Sequence, residues 1–238
     1  MQIIWHGLSC FQLVVTRAKG EHVTILIDPL DEEATGLRIP RSNADIVIFT
    51  NHQYTTANQK KMGAQEGAFI IDGPGEYEVK GVYIQGVASV AAEASGDEPA
   101  GKASRKAAAT KPKKEEYPSN TIYSIEAEEM QACALGNLRQ AELTDDQIEK
   151  IGAVDILMCP VGNGSAIDAK EALKVMSQIE PSIVIPANYQ IPKQKIKLGT
   201  LQEFLKAAGV GPVEAQPKLV VKKKDISPQE AKIIVLNP

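Results

Sequence analysis

The chain has 238 residues, of which 43% are hydrophobic and 24% charged, enough for one large domain or two small ones around a core of ordinary size. Its 26 Lys and Arg face 30 Asp and Glu, a net charge of −4, which argues against a nucleic-acid-binding face. No apolar run reaches the roughly 20 residues of a membrane helix. No signal peptide opens the chain, and the scattered Cys10, Cys133 and Cys159 read as buried thiols, so the expected location is the cytoplasm.

The N-terminal third reads as strands. Ile3 to Trp5, Phe11 to Thr16 and Val23 to Ile27 are β-branched or aromatic, interrupted by Gly7 and by Lys19-Gly20. Asp28-Pro29 ends the third strand, since proline cannot continue a central ladder. Ala44 to Thr50 is a short apolar run of the buried-strand type, followed by a polar loop from Asn51 to Asn58. Phe69 to Ile71 and Val79 to Val87 predict two more strands, with a turn at Gly73-Pro74-Gly75.

From Ala91 to Ser119 the sequence is Ala, Lys, Glu, Gly and Pro with almost no large apolar residue. It buries too little surface to offset its chain entropy, so residues 92–119 predict a disordered insertion within a single domain spanning 1–238. Strands resume at Asn120 to Ile125, Gln131 to Leu135, Val154 to Cys159 and Pro181 to Pro186, with late ones at Lys218 to Val221 and Lys232 to Leu236. Between them lie helices from Thr144 to Ile151, where Thr144 and Gln147 form a capping box, from Asp168 to Ile179, and from Thr200 to Ala208, closed by Gly209. Strands first, then helices alternating with strands, is the order of an α+β or layered architecture.

Several segments in this order carry a resemblance: Gly7-Leu8-Ser9-Cys10-Phe11, Ile27-Asp28-Pro29, Ala44-Asp45-Ile46-Val47, Asp72 to Tyr77, Asn120-Thr121-Ile122-Tyr123, Leu135-Gly136, Val154 to Leu157 and Ser182 to Pro186. Together they resemble small proteins of the metallo-β-lactamase superfamily, of the ascorbate-phosphate lactonase group. The resemblance implies an α+β, four-layer αββα sandwich with a two-metal site, Zn or Mn, at one edge of the sheets. It implies ligands from a His-x-His-x-Asp-His loop, a later His, an Asp after Leu-Gly, and a His in a Pro-x-His-Tyr ending.

Here those positions read otherwise. The loop gives Asn51, Gln53, Thr55 and Thr56, with His52 as its one imidazole. The later His falls near Ala91, the Asp on Asn137 and the final His on Asn188, while Leu8 replaces the histidine of a Gly-His-Ser-Cys-Phe segment. Amide and hydroxyl oxygens without a carboxylate do not neutralise a dication, and Zn²⁺ prefers imidazole or thiolate. With only His6, His22 and His52 in the chain, a histidine-rich centre is beyond its composition. These residues alone predict a metal-free, non-catalytic protein without a cofactor. Its relic pocket of Asn51, His52, Gln53, Thr55, Thr56, Asn137 and Asn188 would take a small polar ligand or serve a protein partner. The alternative is a zinc-dependent hydrolase using a rearranged site, centred on His52 with Asp28.

Other motifs read more plainly. His52 and His6 are expected as a loop and a sheet-end residue, and Asp28 as a turn carboxylate holding backbone N–H groups. Gly162 to Ser165 precedes a helix that Asp168 caps, and Lys111 to Lys114 and Lys222 to Lys224 read as solvated charge.

Overall fold

The computed structural model describes residues 1–17, 20–38, 40, 42–51, 64–89, 120–164, 166–227 and 231–238. The predicted insertion at 92–119 and the positions His52, Gln53, Thr55 and Thr56 lie outside them. The first sheet contains β1 (Gln2–Gly7), β2 (Cys10–Thr16), β3 (His22–Ile27), β4 (Ala44–Ile48) and β5 (Ala64–Ile71), with a four-residue helix α1 (Glu32–Thr35) between β3 and β4. The second contains β6 (Gly75–Val79), β7 (Val82–Ser89), β8 (Asn120–Ala127), β9 (Met130–Ala134), β10 (Ile156–Pro160) and β11 (Ile183–Ala187). Helices α2 (Asp145–Ile151), α3 (Ala169–Ile179) and α4 (Leu201–Ala207) intervene, and the short β12 (Leu219–Val220) and β13 (Lys232–Ile233) return to the two sheets.

The first sheet runs β12-β1-β2-β3-β4-β5 and the second β13-β11-β10-β9-β8-β7-β6. In the first, β3, β4 and β5 are parallel and the remaining pairs antiparallel. In the second, β9, β10, β11 and β13 are parallel. The sheets pack face to face, and Ile3, Trp5, Leu13, Ile25, Ile46, Ile84, Ile122 and Ile156 share one core between them. Strand β1 alternates half-buried and buried residues, whereas β10 and β11 are buried throughout, as strands with both faces covered must be. The outer face of the first sheet is covered too: Leu26, Val47 and Phe49 pack with Leu30, Leu37, Ile196 and Leu198. This is the αββα sandwich.

Two local expectations change. Val79 to Val87 is a hairpin, not one strand: β6 and β7 turn over Lys80 and Gly81, both at positive φ. Helix α1, unforeseen, is capped by Asp31, whose side chain accepts from Ala34 N, and closes on Gly36 at φ 77°. The other helices start as expected. The Thr144–Gln147 box is present, and Asp168 accepts from the backbone N–H groups of Lys170 and Glu171. Asp168→Ala is expected to cost about 1 kcal/mol, the usual loss of an N-cap, read as a lower urea midpoint with an unchanged m-value.

Candidate functional site

Parallel strands end on the same side of a sheet, so the residues following β3, β4, β9 and β11 gather at one edge of the sandwich. Asp28 follows β3, Thr50 and Asn51 lie just beyond β4, Asn137 follows β9 after a turn, and Asn188 follows β11. The β1–β2 turn brings Leu8 and Ser9 to the same edge. Asp28, Leu8, Ser9, Asn137 and Asn188 line one small cleft of about 40 Å³ that opens to solvent, walled by Leu30, Ile196 and Leu198.

Asp28 is buried, and its carboxylate accepts from the Thr50 backbone N–H at 2.7 Å and the Thr50 hydroxyl at 2.6 Å. It holds a backbone N–H, as expected of it, but one that lies 22 residues away on the neighbouring strand and not in its own turn. Burial pushes its carboxyl above the usual range, opposed by the bonds from Thr50 and Ser9, which favour the charged form. Thr50 O in turn accepts from Thr121 N at 2.7 Å, tying the end of β4 to β8 in the other sheet.

Asn120 is a second anchor. Its buried amide donates to Leu135 O and Ser89 Oγ and accepts from Asn137 N at 2.9 Å, so one side chain fixes the turn that carries Asn137. Gly136 within that turn has φ 61°, and a Cβ there would lie 2.3 Å from the Thr50 hydroxyl, so only glycine fits. Asn188 Nδ2 donates to Asn137 Oδ1 at 2.6 Å, although the two residues are 51 apart in the chain. The backbone N–H of Asn188 reaches Leu8 O, which also accepts from the Trp5 indole. Leu8, Asp28 and Asn188 all adopt positive φ, at 51°, 44° and 53°. Three non-glycine residues in the left-handed region around one cleft is a concentration of backbone strain of the kind found at ligand sites.

The site residues therefore fall into two groups. Asn137 and Asn188 come together, and Asn51 is buried one residue beyond the Asp28–Thr50 pair. His52, Gln53, Thr55 and Thr56 lie outside the described residues. His6 is a sheet residue whose Nε2 meets Gln12 Oε1 at 3.1 Å, its pKa lowered by burial. Ser9 and Asn120 stand inside the sequence segments that carry the resemblance, and Thr50 three residues beyond one of them, yet none of the three matches a ligand position. Nothing in their spacing marks a side-chain bond across strands.

The sequence profile of the β-lactamase superfamily domain matches residues 2–188. The chain belongs to the metallo-β-lactamase superfamily. It is 27% identical over 202 residues to a UPF0173 protein from Pyrococcus abyssi, covering 79% of this chain and 83% of that one. It is 34% identical over 64 residues to a UPF0173 metal-dependent hydrolase from Carboxydothermus hydrogenoformans, a match spanning 26% of this chain and 28% of that one. Among solved structures, a Thermotoga maritima protein named as a Zn-dependent hydrolase of the superfamily superposes with a TM-score of 0.70 at 29% identity, covering 99% of this chain and 97% of the other. A metallo-hydrolase from Ignicoccus hospitalis, at 17% identity and a TM-score of 0.55, shares the fold.

These relatives correct the functional expectation. A non-catalytic, metal-free protein without a cofactor is contradicted by homologues named as metal-dependent and Zn-dependent hydrolases. The physical reason for the error is that loss of the motif's side chains was equated with loss of the reaction. The described residues by themselves still do not fit a two-zinc centre. Among them no three His, Cys, Asp or Glu side chains gather closely enough to hold a metal ion. Asn137 and Asn188 offer neutral amides that are bonded to each other, and Asp28 is engaged by Thr50. Among the described residues, no helix is long and apolar enough to cross a membrane.

Proposed function

We propose that this chain is a metal-dependent hydrolase of the metallo-β-lactamase superfamily that holds its substrate at the Asp28–Asn137–Asn188 cleft. The observation that carries this reading is the meeting of Asn137 and Asn188 at 2.6 Å. Two positions that the resemblance assigns to metal ligands, from different strands, face each other beside a strained and buried carboxylate. The names of the relatives supply the reaction class. In the cleft the amides of Asn137 and Asn188 hydrogen-bond a substrate's carbonyl or hydroxyl oxygens. Leu8, Leu30, Ile196 and Leu198 cover its apolar part and exclude water. Asp28 and Asn120 keep the two anchoring turns in place.

The test is turnover of a lactone, a thioester and a phosphodiester by the purified chain, with EDTA and with added zinc or manganese. Hydrolysis above buffer that EDTA removes and metal restores is the expected result; no turnover under any of these conditions overturns the reading. A second measurement addresses the donors. Converting Asn137→Asp and Asn188→His together supplies a carboxylate and an imidazole at facing positions, so zinc affinity should rise at least about tenfold by calorimetric titration. Unchanged affinity would mean that these two positions do not converge on one centre.

A further inference from the structure

Away from the cleft, the outer strands β12 and β13 flank an open groove. Of the four large hydrophobic residues exposed among the described residues, two, Val210 at 38% and Val220 at 60%, line this groove. Two exposed valines on one surface mark a contact site more than scattered apolar residues do. Among the described residues, strand β12 is the outer strand of its sheet. Among them it pairs with β1 on one side only, with Gln2 opposite Val220 and Ile3 opposite Leu219. Val221 N bonds back to Met1 O, so in the antiparallel alternation the peptide groups of Val220 point the other way, toward the open side.

Strand β12 has only two residues, but along it and its flanks exposed Lys218, Val220 and Lys222 alternate with buried Leu219 and Val221, so the three share one face. Further lysines follow at Lys223 and Lys224, and Lys232 lines the groove from β13. Lys223 is paired with Asp155, and Asp225 accepts from the backbone N–H of Lys222. Among the described residues, Lys222, Lys224 and Lys232 make no ion pair. A chain of net charge −4 thus concentrates positive charge on one open edge.

Edge lysines guard against pairing with a second copy, and here the register makes the point concrete. Antiparallel pairing of two β12 strands about Val220 sets Lys218 of each copy directly opposite Lys222 of the other, a like-charge cross-strand contact. A strand carrying acid, apolar and acid side chains at alternate positions meets the same edge with opposite charge at both lysines and an apolar contact at Val220. We propose that the β12 edge and its groove dock an acidic, extended segment of a partner protein, with the pattern Glu-x-Val-x-Glu, by strand addition.

The probe is a fluorescein-labelled peptide Thr-Glu-Thr-Val-Thr-Glu-Thr titrated into the full chain and followed by anisotropy, beside a peptide with lysines in place of its glutamates. The acidic peptide should bind, weaken roughly tenfold when salt is raised from low to physiological ionic strength, and slow hydrogen exchange at Val220; the lysine peptide should not bind. In the Lys218→Glu/Lys222→Glu variant the preference should invert, with the lysine peptide now bound, a gain that misfolding cannot produce. Equal binding of both peptides, or none of either, overturns the proposal. So does sedimentation showing that this face makes a dimer, or binding of the chain to anionic vesicles but not to the peptide.

Discussion

Replacing Asp28 with alanine should lower the melting temperature by about 6–12 °C. The carboxylate is buried and satisfies both the N–H and the hydroxyl of Thr50. Its loss leaves two buried donors without their acceptor, at about 1–3 kcal/mol each before relaxation. Taking about 3 kcal/mol in total, and about 2–4 °C per kcal/mol for a domain of this size, gives that range. The pH dependence carries a sign of its own. Burial raises the Asp28 pKa in the folded state, so between the ordinary carboxylate value and the raised one the folded chain holds a proton that the unfolded chain has released. Asp28's contribution is therefore fully present below the ordinary value and declines as pH rises through the folded pKa. Asp28→Asn does not titrate, so its stability deficit relative to the parent should narrow with rising pH across that interval. Urea melts of both proteins at several pH values measure this, and a deficit that widens instead would contradict the assignment of burial as the dominant cause.

Gly162→Ala should be comparably damaging to stability and worse for the site. A Cβ at Gly162 would lie 2.0 Å from Asn188 O and 2.7 Å from Tyr189 Cα, both main-chain atoms that cannot swing aside. The strand end carrying Asn188 must shift, at about 3 kcal/mol, the upper part of the range for overpacking a tight interior. Asn188 then leaves Asn137, and a displacement of about 1 Å at a catalytic site is worth about a hundredfold in rate. Turnover and the melting temperature of this variant should both fall, whereas Asp168→Ala, at the N-cap of α3 and outside the cleft lining, should lower stability alone.

The strands and helices were legible where local chemistry and tertiary context agree. Thr144 with Gln147, and Asp168 as an N-cap, announce helix starts, and the structure has both caps. The β6–β7 hairpin was hidden because its turn uses Lys80 at φ 51° in place of the usual Asn or Gly, and Lys80 is held there by an ion pair to Asp45 on another strand. Helix α1 is too short to show a period. The fold family could be read from ordered segments spread over the chain, but the workings of the cleft could not. The bonds from Thr50 to Asp28 and from Asn120 to the Asn137 turn join residues from different strands, and no local pattern encodes them. The metal-free reading failed for a related reason. It judged function by donor identity at aligned positions, whereas homologues named as metal-dependent and Zn-dependent hydrolases point to the reaction.

The most direct measurement is the rate of hydrolysis, in the presence of zinc or manganese, by the parent chain and by Asn137→Ala/Asn188→Ala prepared side by side, with circular dichroism to confirm that both are folded. Turnover by the parent is expected to fall at least about tenfold in the double variant, since both amides line the cleft proposed to hold substrate. Turnover that is equal in the two folded proteins would contradict it, because the chemistry would then lie elsewhere on the molecule.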